Sequence, residues 1–277
     1  MVEIFTDSCC DLTPEQITTN RLHVIPLYVH FNEDTYLDGV TITPPQLFDM
    51  VRKTGTLPKT SAPSMPTFAE QFGTSGEVVY VGISSKLSAS NQNALLAKAE
   101  LGRKEIYIVD SLTLSSAIGL LALKAAELRD GGKAATDIAV ELASWVPRTY
   151  CSFAIDTLDY LYMGGRCSAM TKVVGSMLKI RPVIEVVRDG TLGVKTKVGG
   201  SRKKALGSLL GDFKGKMDQI DLHRVFITHT SPDEDAEYLK TELLKIAPIE
   251  EVCISHAGAT IASHCGPGTI GILYFTK

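Results

Sequence analysis

Val78-Val79-Tyr80-Val81-Gly82-Ile83, running into Ser84-Ser85-Lys86-Leu87-Ser88, is the stretch on which the fold turns. A short valine-rich run of this kind predicts a strand covered on both faces. The hydroxyl-rich segment that ends it leads into a helical pattern over 91–101. A second strand pattern at 105–110 and a long helical one over 115–129 follow. Strand, helix, strand, helix in this order predict a mostly parallel sheet covered by helices.

The same alternation extends outward. Val2-Glu3-Ile4-Phe5 reads as a strand that ends at Thr6-Asp7-Ser8. Thr13-Pro14-Glu15-Gln16 opens a helix, with a hydroxyl at the cap and proline at the first helical position. Val24-Ile25-Pro26-Leu27-Tyr28-Val29 reads as one further strand, and 43–53 and 136–145 read as helices. Beyond residue 150 the character changes. A strand at 152–155 precedes two strand-like runs, 181–186 and 191–195, joined through Arg188-Asp189-Gly190. Asp-Gly between such runs signals a hairpin. A helix over 202–217, a strand at 224–228, a helix over 232–246 and strands at 250–254 and 269–275 complete the chain. The expected fold is therefore α/β with two domains. An N-terminal, mostly parallel α/β/α sandwich spans 1–149, and a mixed-sheet α/β domain spans 150–277, with the boundary near 147–151. Neither half contains a repeat or a low-complexity segment.

The composition narrows the function. The 277 residues are 44% hydrophobic, enough for a sizeable core, and the net charge of −3 gives no basic face for nucleic acid. The sequence has no apolar run of about 18 residues, so no membrane span is expected. The N-terminus lacks the basic start and apolar stretch of a signal peptide. Cys9, Cys10, Cys151, Cys167, Cys253 and Cys265 form no C-x-x-C pair. Reduced thiols in a cytoplasmic protein are the expectation.

Three hydroxyl clusters fall just past strand ends, where open α/β sheets place ligands. They are Thr6-Asp7-Ser8, Thr60-Ser61 within Pro58-Lys59-Thr60-Ser61-Ala62-Pro63-Ser64, and Ser84-Ser85-Lys86-Leu87-Ser88. The last precedes a helix, whose first N–H groups together with serine hydroxyls make an anion site. The same hydroxyls serve equally as helix caps. A site of hydroxyls and backbone donors suits one carboxylate better than a triphosphate, and no G-x-x-x-x-G-K-[ST] loop is present. His264 falls in the glycine-rich Ser263-His264-Cys265-Gly266-Pro267-Gly268 stretch and is expected on a loop between helix and strand. Arg166, after Gly164-Gly165, and Arg202 are further anion partners or solvated surface cations. A hydrolase triad can be written from Ser85, His264 and Asp7, but no G-x-S-x-G elbow supports it. Cys265 beside His264 is a poor nucleophile pair, since sequence neighbours rarely share a catalytic geometry. No spaced set of metal ligands is visible, and no cofactor is expected.

Taken together, these motifs resemble the DegV family, the lipid-binding B subunits of bacterial fatty acid kinase, from end to end. The likeness rests on Thr6-Asp7-Ser8, Leu57-Pro58-Lys59-Thr60-Ser61-Ala62-Pro63-Ser64, Ile83-Ser84-Ser85-Lys86-Leu87-Ser88 and Asp110-Ser111. It continues through Leu158-Asp159-Tyr160-Leu161 with Gly164-Gly165-Arg166, Leu178-Lys179-Ile180-Arg181-Pro182 and His264-Cys265-Gly266-Pro267-Gly268. The resemblance implies a DegV-like fold whose two domains enclose an acyl chain such as palmitate, stearate or oleate. It implies that Thr60 and a serine of the 84–88 loop, Ser85 before Ser88, hold the carboxylate. Ser61, Gly165, Arg166 and His264 would neighbour the head group. A separate ATP-dependent fatty acid kinase subunit would phosphorylate the carboxylate, so this chain would carry substrate and not act as an enzyme alone. The sequence departs from the family at Ala62, where Gln is usual, and at Ala89-Ser90, where Gly-Thr is usual. The family arginine before Lys-Lys-Ala is displaced to Arg202 or absent, which leaves Arg202 as the candidate for kinase docking. Two other readings remain: a small-carbonyl carrier like the dihydroxyacetone kinase substrate subunit, with His264 holding the substrate, or a lipid-sensing or storage protein without a kinase.

Overall fold

The computed structural model describes residues 2–73, 76–166, 180–230 and 232–277; Cys167 and Leu178-Lys179 lie outside them. Four parallel strands, β1 (Val2–Asp7), β2 (Leu22–Ile25), β6 (Glu77–Gly82) and β7 (Ile106–Asp110), form one sheet in the order β2-β1-β6-β7. Successive residues of β6 face opposite sides. Val78 and Tyr80 pack with Phe68 and Phe72 of α3 (Met65–Gly73) and Ala94 and Ala97 of α4 (Ser90–Leu101). Val79 and Val81 face α5 (Ser116–Asp130) and α6 (Ala135–Trp145). Both faces of the sheet are covered, which is why β6 reads as a continuous apolar run.

The second sheet has six strands, β8 (Thr149–Ala154), β9 (Ile180–Val186), β10 (Leu192–Gly199), β11 (Ile220–His229), β12 (Glu251–His256) and β13 (Ile270–Thr276), ordered β10-β9-β8-β13-β11-β12. Only β11 and β12 pair in parallel. One face carries α8 (Arg202–Gly215) and α9 (Asp233–Ile246). From the other face Cys151, Phe153, Phe226, Leu273 and Phe275 join α5 in a single apolar cluster. Helix α5 thus lies between the sheets, and 11 of its 15 residues are buried, as expected of a helix that is apolar all round. Gly119 lets it approach the Ser8–Cys10 turn, since a Cβ there would lie 2.7 Å from Leu12 Cδ2 and 2.8 Å from the Cys10 carbonyl oxygen.

A small antiparallel sheet, β4-β3-β5, is built from β3 (Tyr28–Phe31), β4 (Asp34–Leu37) and β5 (Lys59–Ser61). With α2 (Pro44–Thr54) it packs on α10 (Ala259–Cys265) through Val29, Leu47, Ala259 and Ala262. The single strand expected over 24–29 is therefore two, belonging to different sheets. Pro26 lies between them and has no N–H to offer a ladder. The loop expected around His264 is also corrected, because His264 lies in α10. The small strands β4 and β5 and the helices α3, α7 (Asp159–Met163) and α10 were not anticipated. The remaining expected elements are present, α1 (Pro14–Thr19) with its Thr13–Gln16 capping box among them.

Two buried carboxylates, Asp11 and Asp38, hold the small sheet and α10 in place, and a third, Asp7, braces the end of β6. Gly258 N–H donates to Asp11 Oδ1 (2.7 Å) and Ala259 N–H to Asp38 Oδ1 (2.6 Å), so carboxylates distant in sequence cap α10. Ser115 Oγ donates to Asp11 (2.6 Å) and Ser8 Oγ to Asp38 (2.8 Å). Asp7 Oδ2 accepts from Tyr80 OH and Ile83 N–H, both at 2.9 Å. Burial outweighs these bonds and pushes the Asp7 carboxyl up from 3.8 to about 6; Asp11 and Asp38 are raised by the same cause.

Between those two values the native chain keeps a proton that the unfolded chain has lost. The Asp7 contribution is thus complete below its unfolded value and is lost as pH rises through about 6, a swing of up to roughly 3 kcal/mol. Urea midpoints of the protein are expected to fall between about pH 4 and about pH 7, and Asp7→Asn to flatten that fall. A stability that rises over this range would contradict the assignment.

Candidate functional site

A cleft opens where the small sheet, α7 and α10 meet the C-terminal end of β6. It holds about 500 Å³ of space free of protein atoms, part of it continuous with solvent. Each polar residue at its rim is placed by a different element. Strand β5 carries Thr60, paired with Val29 of β3. Helix α10 presents Ile261, His264 and Cys265 to the cleft, the i, i+3, i+4 spacing of one helical face. The turn after β6 supplies Leu87 and Ser88, and the end of α7 supplies Leu161 and Arg166.

Thr60 Oγ1 and His264 Nε2 are hydrogen-bonded at 2.7 Å. The imidazole is buried and its pKa is lowered to about 4, first by burial and then by the Arg166 guanidinium. It is therefore neutral at physiological pH, one ring nitrogen a donor and the other an acceptor. Nδ1 is buried and has no partner among the described residues. Arg166 Nε donates to the Leu87 carbonyl (3.2 Å) and its Nη1 to the Gly164 carbonyl (2.7 Å). This ties the turn after β6 to the end of α7 and leaves a half-buried cation over the cleft.

That turn is itself tightly built. Leu87 and Ser88 N–H groups donate to the Ser84 carbonyl (2.9 and 3.1 Å). Ser84 Oγ donates to the Gly190 carbonyl at 2.8 Å, across the two halves of the chain. Gly190 has φ +85°, and a Cβ there would stand 2.4 Å from Ser84 Oγ. The Asp-Gly hairpin read from the sequence therefore both turns the chain and docks on the first sheet.

The expected residues do not all converge. Thr60, Ser61, Ser88, Arg166 and His264 line the cleft. Ser85 does not: it is exposed, and its backbone N–H is bound to Asp110 Oδ1 (3.1 Å). The turn directs Ser88 inward in its place, and Ser88 shares a 2.9 Å hydrogen bond with Ser90 Oγ. Ser61 Oγ is held by His30 Nε2 (2.8 Å) at the exposed rim. Gly165, with φ +70°, is exposed and lies outside the lining. Arg202 is far from a free docking cation: Nε pairs with Asp235 (2.8 Å), and Nη1 with Asp156 (3.3 Å) and the Gly268 carbonyl. Ser85, His264 and Asp7 form no triad either, since Asp7 is bound to Tyr80 and Ile83 and His264 to Thr60.

Beyond His264 the cleft turns apolar. A second cavity shares Leu114, Ile261 and Cys265 with it and continues between α5 and the second sheet to Cys151, Phe153 and Leu273. These residues were missed as site residues in the sequence. Only the Ile261, His264, Cys265 spacing offered a local signal.

Gly164 is fixed by the same ring. A Cβ there would lie 2.2 Å from His264 Nδ1 and 3.0 Å from the Tyr160 carbonyl oxygen. Gly164→Ala is expected to displace the imidazole from Thr60 while leaving the fold intact. A raised His264 pKa in the variant, followed by NMR titration, checks this; an unchanged titration would contradict it.

The fold and site can be set beside known proteins. The family model described as an uncharacterised protein of the DegV family matches residues 1–277. A DegV domain-containing protein of Deinococcus radiodurans is 33% identical over 276 residues, covering 98% of this chain and 97% of its own. A DegV family protein from Thermus thermophilus, described by its fatty acid binding, superposes with a TM-score of 0.92 at 30% identity, covering 100% and 99% of the two chains. The fatty acid kinase B3 protein of Streptococcus pneumoniae, loaded with linoleic acid, shares the fold (TM-score 0.89, 21% identity, full coverage of both chains). From its first residue to its last, this chain belongs to the DegV family.

Proposed function

We propose that this chain binds a long-chain fatty acid, with the carboxylate at the Thr60–His264 rim and the acyl chain running inward past Ile261 toward Phe153. The observation that carries this reading is a polar rim beside a second, mainly apolar cavity that shares Leu114, Ile261 and Cys265 with it. The rim offers one guanidinium, a neutral imidazole and the Thr60 and Ser88 hydroxyls. This set can balance a single negative charge but not the several charges of a nucleotide. The interior supplies affinity. About sixteen methylenes at ~0.8 kcal/mol each give an upper limit near 13 kcal/mol, from which the cost of immobilising the ligand is subtracted. The Thermus relative, described by its fatty acid binding, supports the ligand class. The small-carbonyl reading is weaker, because a mainly apolar cavity beyond His264 serves no such substrate. On this reading the cleft lies between the units proposed at 1–149 and 150–277.

The chain would act as a substrate carrier in the cytoplasm and present the carboxylate to a separate ATP-dependent kinase subunit that forms the acyl phosphate. The family resemblance and the lack of a phosphate-binding loop in the sequence support that half. Arg202, being committed internally, is not its docking residue. Arg166, exposed in part at the cleft rim, is the better placed cation.

Native mass spectrometry of protein purified from cells is expected to show one bound fatty acid, such as palmitate, stearate or oleate. Thr60→Val, which removes the hydroxyl but keeps the shape, is expected to weaken oleate binding about tenfold. Failure of the wild-type protein to bind either co-purified or added fatty acid would overturn the proposal. The carrier role is tested separately: with an ATP-dependent fatty acid kinase subunit added, radiolabelled oleate should be converted to acyl phosphate only when this chain is present. Binding without conversion would leave a sensing or storage protein.

A further inference from the structure

Outside the lining of the cleft, three side chains from three elements converge at the C-terminal end of the β11–β12 pair. His229 ends β11 and His256 ends β12, and the two are in register as the last residues of the parallel ladder. In-register neighbours project on the same side of a sheet. Their rings lie 4.6 Å apart with planes inclined at 51°. Asp233 opens α9, the next element after β11. Its Oδ1 lies 3.7 Å from His229 Nε2 and 3.7 Å from His256 Nε2. All three candidate ligand atoms are within 4.8 Å of one another.

The spacing of the three groups is that of atoms sharing a common centre. At 3.7 Å each nitrogen is beyond hydrogen-bond distance of the carboxylate oxygen, yet both lie equally near the same atom. A tetrahedral ion with bonds of about 2.0–2.2 Å holds its ligand atoms about 3.4 Å apart. The two carboxylate–imidazole pairs thus need to close by only a few tenths of an ångström to bind one, and the two imidazole nitrogens, within 4.8 Å of each other, by no more than about 1.4 Å. Two of the ligands sit on strands whose backbone is already fixed. His229 belongs to a strand paired on both sides, and its carbonyl accepts from Ala257 N–H (3.0 Å). The side chain of His229 is fully buried, whereas those of His256 and Asp233 are 70% and 76% exposed. The site is therefore rigid at its base and open to water on the other side. Asp233, Glu234 and Asp235 in the first turn of α9 offset the positive end of that helix, which would otherwise oppose a cation.

We infer that His229, Asp233 and His256 form a divalent transition-metal site with Zn²⁺ as its expected occupant. Two imidazoles and one carboxylate are a nitrogen-rich, borderline set. It favours zinc and its late first-row neighbours over Mg²⁺ or Ca²⁺, which take oxygen ligands. Three protein ligands leave at least one position for water. Coordination would join the start of α9 to the ends of β11 and β12. It would also fasten Ala257 and Gly258, the lead-in to α10. The site is independent of the fatty acid reading, because none of its three residues lines the cleft.

The test uses the full chain after treatment with a chelator and dialysis. Isothermal titration with ZnCl₂ is expected to show one saturable equivalent, and metal is expected to raise the melting temperature. Asp233→Asn and His256→Ala, both at exposed positions, should each weaken binding at least tenfold. His223→Ala, which removes an exposed histidine paired with Glu250, should leave binding unchanged. Absence of saturable binding, or equal affinity in the wild type, Asp233→Asn and His256→Ala, would overturn the inference. Selective loss in His223→Ala would also overturn it, by placing the metal on the surface histidine.

Discussion

The arrangement depends on the capping of a seven-residue helix by two carboxylates more than two hundred residues away in sequence. Helix α10 is too short to be stable by propensity, and its Thr, Ser, His and Cys residues are poor helix formers. It persists because Asp11 and Asp38 accept its first N–H groups and because Ala259 and Ala262 pack under the small sheet. Those same aspartates belong to the loops that leave β1 and β4. The capping bonds therefore fix three things at once: the position of the small sheet, the direction of α10 and the meeting of the two halves. Without them Thr60 and His264 would have no reason to be neighbours.

The price of this device is local electrostatic tension. Three carboxylates are buried close together, with hydroxyl and amide donors around them and no arginine or lysine bound to them in any hydrogen bond described above. Burial raises all three. The rim of the cleft shows the opposite economy. There the histidine is kept neutral and a single guanidinium supplies the only positive charge among the lining residues. A neutral ring next to a cation can turn its donor or its acceptor toward a neighbour, which suits the recognition of one anionic group.

Much of this architecture was legible in the sequence. The apolar run 78–83 and the helical pattern 115–129 are long and periodic, and both fall within the elements expected of them, apart from their end residues. The Asp-Gly hairpin is equally plain. What escaped was decided at long range. Helix α10 has no local cap of the usual kind, so its glycines and His264 looked like a loop. Strands β4 and β5 are three or four residues long and exist only because β3 lies between them. Ser85 and Ser88 cannot be ranked from sequence, because the turn that separates them is closed by the Ser84 carbonyl and by a hairpin a hundred residues later. Arg202 looked like a surface cation, and its partners Asp156 and Asp235 are likewise distant. The His229, Asp233 and His256 cluster has no spacing signature, since its members meet only through the register of a parallel ladder.

The bond between Ser84 and Gly190 has one more implication, which concerns kinetics. Together with the contacts of Gly258 and Ala259 to Asp11 and Asp38, it fastens the two halves of the chain with three hydrogen bonds, two of them buried. Swinging the halves apart like a clamshell would break these bonds together and leave their partners unsatisfied, at about 1–3 kcal/mol for each exposed group. A hinge is thus a costly way to open this molecule. On the proposed reading, a ligand would pass into and out of the interior by small displacements at the rim, and its residence time would respond to rim residues more than to the stability of the whole fold.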